Sequence, residues 1–161
     1  MTTYINSISR DQAISSLKEL DRSLNNLEDK KSEIVTFLDV DCAGLVTITG
    51  RKNEELMGKV RDARALTMNV RREFDKFLQV LPDKFRGQGQ EVSNQLHEYA
   101  DGKIKSLTDI AGATKSPAGE VDAKKAKALA NESLKDVRNM RAATNSFISV
   151  RRQAFFPVND N

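Results

Sequence analysis

The stretch 53–81, NEELMGKVRDARALTMNVRREFDKFLQVL, sets Leu56, Val60, Ala63, Thr67, Val70, Phe74, Phe77 and Leu81 at gaps that alternate between four and three. That spacing lines one face of an α-helix, and helices that share it pack along a heptad seam. A strand would bring an apolar residue to one face at every second position, and this stretch does not. Asn53 ahead of Glu54 and Glu55 reads as an N-cap followed by acids, where the helix dipole favours them. Pro82 cannot continue the helix, so its predicted span is about 53–81.

The same rule works outward in both directions. Towards the N-terminus, Leu17, Leu20, Leu24, Leu27, Ile34 and Leu38 form a second seam, with Lys31 in one of its apolar positions. It predicts a helix over about 10–39, with Ser9 as its N-cap. At 1.5 Å per residue such a helix is roughly 45 Å long. Towards the C-terminus, Val92, Leu96, Tyr99, Lys103 or Ile104, Leu107 and Ile110 give a shorter helix over about 90–111, which Gly102 weakens. After the breaker GATKSPAG (112–119), a fourth helix is expected over about 120–154. Its seam is Ala123, Ala126, Ala130, Leu134 (or Ser133), Val137, Met140, Thr144 and Phe147.

Four helices joined by loops short relative to their length favour antiparallel neighbours. The expected fold class is therefore all-α: an antiparallel up-down-up-down four-helix bundle with coiled-coil-like heptad seams. One domain over 1–156 and a loose tail over 157–161 complete the expected organisation. The composition agrees, with 39% hydrophobic residues, 30% charged, 6% aromatic and no Trp among 161 residues. Such a chain suits helices with long polar faces, and it lacks the apolar runs of a buried parallel sheet.

Charge follows the same order. Residues 1–40 carry five basic and seven acidic side chains, 41–90 ten and seven, 91–120 three and five, and 121–161 eight and four. Odd-numbered helices are acidic and even-numbered ones basic, the arrangement that pairs neighbours within a square bundle. The net charge of +3 is thus weak support for a polyanion partner, and a nucleic-acid role is not expected.

Alternating directions also sort the aromatics. Tyr4, Phe74, Phe77, Phe85, Phe147, Phe155 and Phe156 gather at one end, while Phe37, Leu38 and Leu56 meet Ala123, Ala126 and Ala130 at the other. Tyr4, Phe85, Phe155 and Phe156 stand off the seams and form the candidate interaction patch.

Between the first two helices, Asp39-Val-Asp41-Cys-Ala-Gly44-Leu-Val46-Thr-Ile-Thr-Gly50 resembles an EF-hand loop in its two Asp, its Gly and its flanking helices. Ala43 and Gly50 stand where that loop needs oxygen ligands, so no calcium site is expected. Alternation over Leu45–Thr49 suggests a short extended stretch instead. Cys42, the sole cysteine, follows Asp39 and Asp41, which disfavour a thiolate, and His97 reads as a solvent-facing helical residue. No phosphate loop, nucleophile elbow or paired metal-ligand motif is present. No catalytic residue, cofactor or metal is expected.

The expected function is a non-catalytic helical interaction module, an adaptor, regulatory or structural subunit that contacts protein partners or copies of itself. The alternative is a membrane-active helical toxin component or secreted effector, carried by the off-seam Phe85, Phe155 and Phe156 and by the tongue-like stretch Leu45–Thr49. With no basic-then-apolar leader and no apolar run of about 18 residues, a cytoplasmic location is expected, signal-less export being compatible with it.

Overall fold

The computed structural model describes residues 7–79, 87, 89–95 and 121–150, which are mostly helical. Helix α1 spans Ser7–Thr36 and continues into a π-helical turn, Phe37–Asp41. Helix α2 spans Gly50–Gln79 and α4 spans Ala123–Val150, while α3 is described between 87 and 95. Two short strands, β1 (Thr47–Ile48) and β2 (Val121–Asp122), pair antiparallel with Thr47 opposite Asp122 and Ile48 opposite Val121. No described helix is long and apolar enough to cross a membrane.

Side-chain pairs between helices fix their directions. Lys30 meets Asp62 at 3.8 Å and Glu33 meets Lys59 at 2.6 Å, so α2 runs antiparallel to α1. Lys31 reaches the Ser133 carbonyl, Glu28 meets Arg138 and Asp21 meets Arg141, so α4 is antiparallel to α1 as well. Most of these interhelix pairs join an α1 acid to an α2 or α4 base, with Lys30–Asp62 running the other way.

Burial recurs every three or four residues. In α2 the buried positions are Asn53, Leu56, Val60, Ala63, Thr67, Val70, Phe74 and Phe77, with Leu78 beside them. In α1, Leu20, Leu24, Leu27, Lys31 and Ile34 are buried; in α4, Ala123, Ala126, Ala130, Ser133, Leu134, Val137, Met140, Thr144 and Phe147. Each buried Leu, Ile, Val or Phe contributes roughly 1.5–3 kcal/mol of apolar transfer.

These side chains form two clusters rather than one. The loop-end cluster joins Ile34, Phe37, Leu38, Cys42, Ile48, Leu56, Val60 and Ala63 to Val121, Ala123, Ala126 and Ala130. The aromatic cluster joins Leu20, Leu24 and Leu27 to Val70, Phe74, Phe77, Leu134, Val137, Met140 and Phe147. Phe74 and Phe77 pack with ring centroids 6.3 Å apart and planes tilted by 60°.

Several element boundaries differ from those the spacing predicts. Helix is present from Ser7, so Ser9 lies inside α1, and the last turn expected to carry it to Asp39 is π-helical. Helix α2 begins at Gly50, and Asn53 is not a cap: its N–H donates to the Thr49 carbonyl at 3.4 Å and its side chain is buried. Strand pairing holds Thr49 where it can accept that bond, which starts the helix one turn early. Gly87 and Gly89, ahead of the third helix's predicted start at about 90, are helical. Val121 and Asp122 pair with β1 instead of opening the last helix at about 120. The expected ends near 81, 111 and 154, and the tail 157–161, lie outside the described residues.

Candidate functional site

The loop between α1 and α2 is built by local backbone bonds. After Thr36 the helix widens to π geometry, which turns both Phe37 and Leu38 into the core. The N–H of Cys42 donates to the Phe37 carbonyl at 3.0 Å, Ala43 to Val40 at 3.3 Å, and Leu45 to Cys42 at 3.2 Å. Gly44 (φ +78°) reverses the chain and Gly50 (φ +60°) re-enters helix. Both use the left-handed region that side-chain-bearing residues rarely adopt.

Across this loop burial alternates sharply. Ile48 is fully buried under β2, whereas Val46 is 82% exposed and Val40 65% exposed, with Leu45 also exposed. The extended stretch thus pairs with β2 and packs Ile48 into the loop-end cluster, while its other apolar side chains stay in water. The Ala123 N–H donates to the Val46 carbonyl at 3.0 Å, tying the loop to the start of α4. Asp122 Oδ1 accepts the Lys125 N–H at 3.0 Å, an N-cap that fixes where α4 begins. The result is three exposed apolar side chains on a loop anchored at both flanks.

The charges around them are mixed. Asp39, Asp41, Glu54, Glu55 and Asp122 share the region with Arg51, Lys52, Lys124 and Lys125, all exposed. Lys52 Nζ donates to the Asp41 carbonyl, so a fixed cation occupies part of the loop that resembles an EF-hand. Among the described residues, no three His, Cys, Asp or Glu side chains converge to hold a metal ion. The Cys42 thiol is fully buried, and burial above all pushes its pKa up, with Lys52 and Lys127 opposing. It is a poor nucleophile there.

Deeper in, Lys31 occupies an apolar position of α1 and is 1% exposed. Its Nζ donates to the Ser133 carbonyl at 3.1 Å. Burial lowers its pKa to about 8, and the nearby Asp136 carboxylate only partly offsets that. Thr67 and Ser133 hold the equivalent places in α2 and α4, each between a residue of the loop-end cluster and one of the aromatic cluster. Lys31 and Ser133 meet at the border between the two clusters, and the Lys30–Asp62 and Glu33–Lys59 pairs put Thr67 further along α2, towards the aromatic cluster.

Two other surfaces frame these features. Near Lys31, hydrogen bonds from Lys30 and Lys59 hold the half-exposed Glu33 carboxyl down at about 2, and Lys59 lies 5.5 Å from the Phe37 ring centre. Towards the far end of α2, Met68, Arg71, Arg72, Asp75, Lys76 and Gln79 line a shallow groove of about 370 Å³. Ser93 Oγ donates to Asp75 at 3.2 Å, fastening α3 beside it.

Tyr4, Phe85, Phe155 and Phe156, the aromatic patch expected from the sequence, lie outside the described residues, as does His97. Sequence reasoning singled out the Leu45–Thr49 stretch but not Val40, nor the exposed apolar cluster that these residues form at the loop end. Its signal was available: Val40, Leu45 and Val46 are apolar residues off any helical spacing, beside a turn glycine. Neither protein-family models, nor curated proteins, nor solved structures include a match to this chain.

Proposed function

We propose that this chain is a non-catalytic helical interaction module, an adaptor, regulatory or structural subunit that docks a protein partner or another copy of itself. In this reading the four helices form an up-down-up-down bundle with coiled-coil-like heptad seams, α3 closing the corner opposite α1. The observation that carries the proposal is the exposure of Val40 and Val46, with Leu45, on a loop held rigid by β-pairing. Water-exposed apolar side chains on a fixed frame favour contact with another surface at little ordering cost. The aromatic patch of Tyr4, Phe85, Phe155 and Phe156 is a second proposed contact point, at the other end of the bundle.

The charge arrangement supports a protein partner over a nucleic acid. Arg138 and Arg141 on α4 are engaged by Glu28 and Asp21 rather than aligned on an outward face. The second reading, a membrane-active toxin component or effector, draws on the same three side chains. The five acids and four bases around them give an anionic bilayer little to attract.

Sedimentation across protein concentration, with capture of partners on immobilised protein, tests the proposal. Self-association or a captured partner that is lost in Val46→Asp, with helical content unchanged, is the expected result. A strictly monomeric protein that captures nothing contradicts it, and dye release from liposomes by the wild type would favour the second reading.

A further inference from the structure

We propose that the border where Lys31 meets Ser133 is a charge-controlled opening plane, at which the loop-end half of the core parts from the aromatic half while the latter stays folded. The geometry is unusual for a helical core. Along each described long helix a buried polar residue (Lys31, Thr67 or Ser133) separates residues of one apolar cluster from residues of the other, and the half-buried Val35 packs against both clusters. The loop-end half also relies on Ala123, Ala126 and Ala130, small side chains that bury little area per turn.

The charged groups facing the plane make its strength depend on Lys31. From α4 come the Ser133 carbonyl, which accepts a hydrogen bond from Nζ, and the Asp136 carboxylate, whose charge favours the ammonium. On α2, Thr67 donates its hydroxyl to the Ala63 carbonyl at 2.9 Å. The α2 charges nearby, Asp62 and Arg64, are exposed, and Asp62 meets Lys30. On α1 itself Glu28 is engaged by Arg138 and Arg141. An ammonium has three donors to satisfy, and losing water at this site outweighs what its neighbours return.

Opening rehydrates Lys31, so the protonated form favours the open state and the neutral amine favours the closed one. With a closed-state pKa of about 8 against 10.5 when hydrated, opening should become roughly tenfold less frequent between pH 7 and pH 9. A pH change of that size would then expose or cover the loop-end interior, Cys42 included.

Cys42 is a built-in reporter, being fully buried in the loop-end half and the chain's sole cysteine. The test is the rate at which the native protein's Cys42 reacts with a small aromatic disulfide, corrected for thiolate fraction with the urea-unfolded chain as reference. The expected result is labelling whose urea dependence is much shallower than that of global unfolding, slowing about tenfold from pH 7 to pH 9. In Lys31→Met the rate at pH 7 should fall at least tenfold and lose its pH dependence. Lys31→Gln, which keeps a donor for the Ser133 carbonyl without a charge, should also lose the pH dependence, whether or not the Met variant folds. Labelling with the full urea slope of global unfolding would overturn the proposal. So would an unchanged pH dependence in either variant.

Discussion

At Lys31 the chain places an ammonium where the neighbouring inward positions of α1 hold Leu27 and Ile34. The unfolded chain keeps that proton up to pH about 10.5, the folded chain only to about 8. Between those values the unfolded state binds more protons, so stability must rise with pH, by about 3 kcal/mol in all, and stay level below 8 on this account. Urea unfolding of wild type and Lys31→Met at pH 7 and pH 10 checks this. The variant should be more stable at pH 7 by about 1–3 kcal/mol, with a smaller rise towards pH 10. Gly50 is a residue of the opposite kind, where nothing would touch an added Cβ but the backbone sits at φ +60°. Gly50→Ala should therefore cost about 1 kcal/mol in the same assay, purely from backbone strain. Lys31's place on the inner face was legible from spacing alone. That the Ser133 carbonyl stands level with it was not, because the level depends on how far one helix slides past another.

Among the elements, the helices declared themselves through long uninterrupted three-and-four spacing, and burial in α1, α2 and α4 falls on those positions. The β1–β2 pair did not, because two residues carry too little periodicity and the pairing spans more than seventy residues of chain. Asp122 shows the consequence: read as part of a helix, it is a strand residue whose carboxylate caps α4. Asp122→Ala should cost about 1 kcal/mol and fray the first turn of α4, readable as lost amide protection at Lys124 and Lys125. At Ala126, 1% exposed, there is no room for a longer side chain against the loop-end cluster. Ala126→Leu should cost about 1–3 kcal/mol by thermal or urea unfolding. The Glu33–Lys30–Lys59 network, although it shifts the Glu33 carboxyl far down, is half-exposed and screened. Glu33→Gln should cost under about 1 kcal/mol, leaving the two apolar clusters as what holds the elements together.

For the molecule as a whole, α1 is the shared partner: α2 and α4 both run antiparallel to it, and its buried Lys31 bonds the Ser133 carbonyl of α4. One end carries Phe74, Phe77 and Phe147, the other the alanines and the anchored loop with its exposed valines. The sequence anticipated that contrast between ends, but it directed attention to the aromatic end for contacts. Of the large apolar side chains that the described structure leaves in water, Val40, Leu45 and Val46 lie at the loop end and Met68 lies on α2. A stable aromatic half supporting a loop-end half of lower, pH-dependent stability is the central claim. Site-resolved native-state hydrogen exchange tests it most directly. Amides of Ile34, Leu56, Val60 and Ala126 should open at distinctly lower free energy than those of Val70, Phe74, Val137 and Met140, and the gap should narrow in Lys31→Met. A single opening free energy shared by both sets in the wild type would contradict it.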